Sequence, residues 1–210
     1  MSGPLGRVVV IHYSATGNVY RLATALAEGA RAGGAEARLR RVDELAPRDS
    51  IESNARWRHH VDVVAPTVAI AELADLEWAD GIALGSPTRF GLPSAQLKQF
   101  LDQTGRLWAA GALADKVVTA FTSASTGHGG VESTILAMLN TAYHWGSLVM
   151  PVGYTDPAIS ALGNPYGSSF ISRKGSAPDE VELSAARAQG HRLATVVSAL
   201  RCGRPIRARE

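Results

Sequence analysis

The stretch Val8–Val19, VVVIHYSATGNV, constrains this chain more than any other. Four apolar, mostly β-branched residues run into Ser14-Ala15-Thr16-Gly17-Asn18, and a helical pattern begins at Val19. A buried strand that stops at a hydroxyl- and glycine-containing turn, with a helix starting behind it, is the opening unit of an α/β fold. Such a turn presents unpaired backbone N–H groups and hydroxyls, and the helix dipole adds partial positive charge, so it suits an anion. The loop contains neither GxGxxG nor GxxxxGK[ST], which removes support for dinucleotide and Walker-type loops. Hydroxyls without a lysine suit a phosphate monoester; an ordinary βα turn explains the same residues equally well.

The rest of the chain repeats the alternation. Strands are expected at Arg7–Tyr13, Glu36–Val42, Ala79–Gly85, Lys116–Thr122 and Ser147–Val152. Helices are expected at Val19–Arg31 (ending at Gly33-Gly34), Ile70–Leu76, Ser94–Gln103, Val131–Tyr143 and Glu180–Leu200. Pro47–Pro66 is polar and irregular with one helical turn near Ser53–Arg58, and Gly153–Pro178 is expected to be a long loop. The pattern predicts a five-stranded parallel sheet with helices on both faces and right-handed crossovers. Ligands of such sheets bind beyond the carboxyl ends of the strands, where the strand order reverses. The segments after the first, third and fourth strands do carry ligand-type residues.

A chain of 210 residues, 46% of them hydrophobic, can bury one sizeable core, so one domain spanning 1–210 is expected, with 201–210 flexible. No apolar run approaches the roughly 20 residues that cross a bilayer, and the apolar stretch at Val8 is too short for a signal-peptide core. The single Cys202 has no partner for an internal disulfide, so a reducing cytoplasm is the expected compartment. The net charge is only +2 and the arginine clusters are scattered, so no nucleic-acid partner is expected. His59 and His60 are adjacent with no cysteine or carboxylate at ligand spacing, so no metal site is expected.

After the third strand, Gly85-Ser86-Pro87-Thr88-Arg89-Phe90-Gly91 breaks sharply and frees N–H groups for an acceptor-rich ring edge, or simply forms a tight turn with Phe90 in the core. After the fourth, Thr122–Gly130 is all small, hydroxylic or glycine apart from His128, so the backbone can approach a planar ligand. Asp102 and Glu132 are explained by turn and dipole roles, and no nucleophile–histidine–acid set is present.

The string SPTRFGLPSAQLKQFLDQTGRLWAAGAL, residues 86–113, resembles the signature of the WrbA family, the flavodoxin-like NAD(P)H:quinone oxidoreductases. STGHGGVEST, HWG before VMPVGY, and NPYG continue the pattern, so the resemblance spans Val8 to about Leu200. It implies a flavodoxin-like fold with strand order 2-1-3-4-5. It also implies FMN as cofactor, NADH or NADPH as co-substrate, quinone as acceptor, ping-pong two-electron transfer, and a homotetramer built as a dimer of dimers.

By position, the resemblance gives the FMN phosphate to Ser14, Ala15, Thr16, Gly17, Asn18 and Val19. The isoalloxazine falls to Pro87, Thr88, Arg89, Phe90 and Gly91. The ring's polar edge and ribityl chain fall to Ser123, Ala124, Ser125, Thr126, Gly127, His128 and Gly129. His144 matches a histidine beside the flavin, contributed by a neighbouring subunit, that orients the quinone or gives it a proton. Trp108, with Phe90 and Thr16, would line the pocket where nicotinamide and quinone alternate. The chain departs from the pattern at Thr16 (often aromatic), Val131 (often glutamine), Trp145 (often a second histidine), Leu92-Pro93 and 47–66. These departures bear on nicotinamide affinity and quinone preference rather than on FMN. Two rival functions share the fold: a non-catalytic electron carrier or regulatory flavoprotein, and an FMN reductase acting on azo compounds or chromate. Near-neutral charge argues against a carrier, because carriers use strong acidity to dock basic partners.

Overall fold

Apolar β-formers fill the strands that end up at the centre of the sheet. In the computed structural model, which describes residues 5–203, β1 (Arg7–His12), β3 (Gly81–Pro87) and β4 (Val117–Ala124) are buried along almost their whole length. Their unbroken burial is what a parallel sheet covered on both faces requires. β2 (Glu36–Arg41), at the edge, is half-buried along its length after an exposed Glu36, and β5 is the short pair Leu148–Val149. The strand order is β2-β1-β3-β4-β5, all parallel: the alternating pattern predicts the parallel sheet and the family resemblance implies the order.

Helices cover both faces. On one side lie α1 (Asn18–Ala32) and the terminal α9 (Glu180–Gly203); on the other lie α5 (Ala95–Asp102), the short α6 (Gly105–Ala109) and α7 (Val131–Trp145). Helices α1 and α9 cross at backbone contact. A Cβ on Gly29 would lie 1.9 Å from the Arg187 carbonyl oxygen, and one on Gly190 would lie 1.9 Å from that of Leu26. The pair of glycines sets this crossing distance, because any side chain would push the helices apart.

Two expectations give way on the β4 side. The Ser147–Val152 strand shrinks to β5, and Gly153–Pro178 is not a loop: it holds α8 (Pro157–Leu162) and β6 (Ser169–Ile171). β6 returns to the same edge and pairs parallel with Thr122–Ala124, so the fifth strand position is filled in two pieces with an insertion between them. Buried Gln189 of α9 fastens the second piece: its Nε2 donates to Thr119 Oγ1 (2.7 Å) and the Ala120 carbonyl (3.0 Å), and its Oε1 accepts from Ser168 N–H (2.8 Å). Residues 47–66 are also more ordered than expected. α2 (Arg48–Glu52) and α3 (Ala55–His59) run into a single π-turn, His60–Val64, and a 3₁₀ turn, Ala65–Thr67. The helix expected at Ile70–Leu76 starts later, as α4 (Leu73–Trp78) behind a Glu72/Asp75 capping box, because Ile70 is taken up in a bridge with Arg41. α9 continues through Arg201 to Gly203, held there by the Arg201–Asp80 ion pair (2.7 Å), where a frayed tail is expected; 204–210 lie outside the described residues. No helix among the described residues is long and apolar enough to cross a membrane.

Candidate functional site

The carboxyl ends of β1, β3 and β4 open into a cavity of about 300 Å³. The first loop contributes Ser14, Ala15, Thr16, Asn18 and Val19, the second Pro87, Thr88 and Arg89, and the third Ser123, Ala124 and Ser125. The structure thus brings together the three segments that the pattern singles out. Arg89 is the only charged residue in the lining, and no carboxylate faces the cavity among the described residues.

The first loop is built for an anion. Gly17 sits at φ +93°, a left-handed conformation that side chains disfavour, and its N–H donates to Ser14 Oγ (3.1 Å). That bond curls the loop so that α1 begins with no side-chain cap and no acidic residue in its first turn. The uncapped N–H groups and positive helix end therefore face the cavity without a competing protein acceptor. Asn18 is buried and its Oδ1 has no hydrogen-bond partner. This orphan is an acceptor, so it calls for a donor and not for the anion itself.

Behind the loop lie two buried histidines. His12, Tyr20 and His60 form a chain of tilted rings with centroids 5.8 and 5.7 Å apart, and His60 packs behind Gly17. Burial, then repulsion from His60, pushes His12 down to about 3; burial, then repulsion from His59, pushes His60 down to about 4. Both rings are neutral at pH 7 and leave the anion cradle uncharged from behind.

Thr88 ties the second and third loops together. Its hydroxyl donates to the Gly129 carbonyl (3.0 Å) and accepts from Gly91 N–H (3.2 Å) and the Thr134 hydroxyl (2.8 Å), while its own N–H donates to the Ser123 carbonyl (2.8 Å). Arg89 and Leu92 exchange backbone bonds across a tight turn that forces Phe90 to φ +55° and Gly91 to +81°. Phe90 is consequently fully exposed and lies outside the cavity lining, neither in the core nor over the pocket of its own chain. Thr126, Gly127, His128 and Gly129 form the rim of the third loop rather than the lining.

His144 and Trp108 do not reach this cavity within one chain. α7 starts at the cavity end of the sheet, and His144 lies thirteen residues along it, about 20 Å away at 1.5 Å per residue. Trp108 sits on α6, at the end where β4 begins, and is 56% exposed. Three lining residues escape the pattern: Asn54 and Trp57 from α3 and its cap, and Ser172 just past β6. Ser172 becomes visible only once β6 is known to join the sheet. Trp57 carried a signal, a lone large apolar ring in a polar segment.

A family model described as NADPH-dependent FMN reductase matches residues 7–156. A Deinococcus radiodurans protein named NAD(P)H dehydrogenase (quinone) is 44% identical over 170 residues, covering 80% of this chain and 84% of its own. One of the same name from Sinorhizobium fredii is 41% identical over 204 residues, covering 93% and 99%. Among solved structures, a flavodoxin-type, WrbA-like protein from Agrobacterium tumefaciens superposes with a TM-score of 0.64 at 26% identity, covering 92% of this chain and 98% of that one. An archaeal flavodoxin, 19% identical with a TM-score of 0.59, shares the fold.

Proposed function

Because the chain belongs to the NADPH-dependent FMN reductase family, with WrbA-like NAD(P)H:quinone oxidoreductases as its relatives, we propose that it binds FMN and reduces quinones at the expense of NADPH or NADH. The observation that carries this reading is the uncapped, carboxylate-free start of α1 opening into the same cavity as the β3 and β4 loops. The residues present fit FMN. Ser14 and the N–H groups of Thr16, Asn18 and Val19 would hold the phosphate, the Gly17 N–H being spent on Ser14 Oγ. Pro87–Arg89 and Ser123–Ser125 would flank the ring system, while the Thr88 hydroxyl and the N–H groups of Thr88 and Arg89 are spent on holding the loops in shape.

When bound, FMN supplies the redox chemistry, taking two electrons from the nicotinamide and passing them to the quinone. The protein supplies orientation and electrostatics. Arg89 and the β4-loop N–H groups place positive potential at the cavity, which favours anionic ligands there. The turn at Phe90-Gly91 presents its aromatic ring outward, as do Trp108 and Tyr143 (67% exposed), on surfaces that a second copy of the chain would cover. A tetramer, assembled as a dimer of dimers, would bring His144 and Trp108 of one subunit to the cavity of another, where His144 would orient the quinone or donate a proton to it. A single thiol and no disulfide suit the cytoplasm.

Steady-state kinetics test the reading. The FMN-loaded protein should oxidise one NADPH per quinone reduced, and double-reciprocal plots at several quinone concentrations should be parallel, the pattern of nicotinamide and quinone alternating at one site. Quinone-independent NADPH oxidation at the same rate would instead support a plain FMN reductase. Sedimentation of the same sample should give four chains per particle; a monomer would leave His144 without a flavin to serve.

A further inference from the structure

The FMN cavity is lined almost entirely by small or hydroxylic residues, and Trp57 is the only aromatic ring in its lining. A planar tricyclic ring is poorly held by serine and threonine alone; it gains most from a flat, polarisable wall. The three βα loops do not provide one, since Phe90 points away into solvent and Thr16 is short. Trp57 comes from elsewhere, on the helical segment 48–67 that lies across the mouth of the first loop.

Its placement is over-determined. Asn54 caps α3 by accepting from Arg56 N–H (3.0 Å) and from the Trp57 N–H itself (3.2 Å). The far end of the side chain is fixed as well: indole Nε1–H donates to Glu44 Oε2 at 2.8 Å. The half-buried side chain packs against the apolar core on the α5 side of the sheet.

Glu44 does far more than meet one indole. The same carboxylate accepts from Tyr13 O–H (2.7 Å), Gln96 Nε2 (2.7 Å), and the N–H groups of Leu45 and Ala46 (2.9 Å each). Its donors come from the end of β1, its own turn after β2, α3 and the first turn of α5. Burial pushes the carboxyl up, but these hydrogen bonds outweigh it and hold the group below the ordinary carboxylate range. Tyr13 is pushed up by burial and by this carboxylate, so its phenol stays a donor. A charged acceptor meeting five donors is strong and geometrically exacting. It joins the helical segment 48–67 to the end of the sheet.

We propose that Trp57 is the aromatic wall of the FMN site and that Glu44 is the positioning residue that holds it there. This rests on the FMN reading above, and the test separates the two. The probe is FMN itself, added to the apoprotein of the full chain, with flavin fluorescence and its lifetime as readouts besides affinity. An indole against the ring quenches flavin emission strongly, so wild-type protein should darken FMN. Trp57→Ala should bind FMN about tenfold more weakly and raise the emission and lengthen its lifetime, with the quenching that remains left to Trp108 of a neighbouring subunit. Trp57→Phe should keep the affinity within about threefold while brightening the flavin, because a benzene ring walls the site but quenches less. Glu44→Gln should give a mixture of short and long lifetimes, a released indole that no longer holds one position, with far-UV circular dichroism unchanged. If the wild type does not take up FMN, the family reading fails and this inference with it. If FMN binds and Trp57→Ala and Glu44→Gln leave emission, lifetime and affinity as in the wild type, only the inference is overturned.

Discussion

Replacing Asn18 by aspartate probes the anion site with a change of one atom type. Asn18 is the first residue of α1, its side chain is buried at the loop, and the first turn carries no acidic residue. A carboxylate there would meet the positive end of the helix dipole, an interaction worth roughly 0.3–1 kcal/mol to the apoprotein. For a chain of this size that is a rise of about 1–3 °C in Tm. The same charge would face the FMN phosphate dianion. At about 5 Å and an effective dielectric constant near 20, the repulsion is on the order of 6 kcal/mol. Salt and partial protonation of the new carboxyl lower it to about half, equivalent to a loss of about 10²-fold in FMN affinity. Riboflavin, which lacks the phosphate, should bind the variant as it binds the wild type. Titrations of apoprotein with FMN and riboflavin, together with thermal unfolding of the apoprotein, read all three quantities. FMN binding within threefold of wild type would show that no phosphate sits at the start of α1. An equal loss of FMN and riboflavin would mean a collapsed loop rather than charge repulsion.

Three other outcomes follow from the contacts described. Thr88→Val removes three hydrogen bonds, one to the β4 loop at Gly129, one within its own loop to Gly91 and one to Thr134 of α7, at about 1 kcal/mol each, so Tm should fall and FMN affinity should drop about tenfold. Unchanged FMN binding in that variant would mean that the loops hold together without the hydroxyl. Gly190→Ala sets a methyl group against the Leu26 carbonyl and should cost about 3 kcal/mol or more in urea unfolding, whereas Gly203→Ala, with open space around it, should cost nothing comparable. His12 and His60 titrate near 3 and 4 in the folded chain against 6.5 when unfolded, so the unfolded chain binds more protons below pH 6.5. Stability should therefore fall as the pH drops from 6.5 to 4, by up to about 2.7 kcal/mol per unit, and His12→Gln should remove about half of that slope in denaturant series at each pH.

Much of this architecture is legible in the residues because local and global demands agree. β1, β3 and β4 announce themselves as short apolar runs, and being buried on both faces they have no other use for such runs. The loops behind them betray the site through Ser14–Asn18, Pro87–Arg89 and Ser123–Ser125, small and polar where a buried strand ends. What stays hidden depends on long-range pairing. Leu148–Val149 and Ser169–Ile171 are too short to announce strands, and they become one sheet edge only because β4 and Gln189 hold both pieces. Residues 48–67 look like a polar excursion because the partner that orders Trp57, Glu44, lies thirteen positions away and is one carboxylate among many. Phe90 is misjudged by composition: a phenylalanine after a buried strand suggests core or pocket, whereas the Arg89–Leu92 turn drives it outward at positive φ. His144 and Trp108 carry no spatial information in sequence, and only the length of α7 and the place of α6 show how far they stand from the cavity of their own chain.

The most direct test of the central claim is anaerobic stopped-flow of the FMN-loaded protein, mixed first with NADPH, or with NADH in parallel, and then with benzoquinone. The long-wavelength flavin absorbance should bleach fully with one equivalent of nucleotide and recover as fast on quinone, with no long-lived one-electron spectrum between. A flavin that binds yet stays oxidised with both nucleotides, or that halts in the one-electron state, would contradict the oxidoreductase account and favour an electron carrier on the same fold.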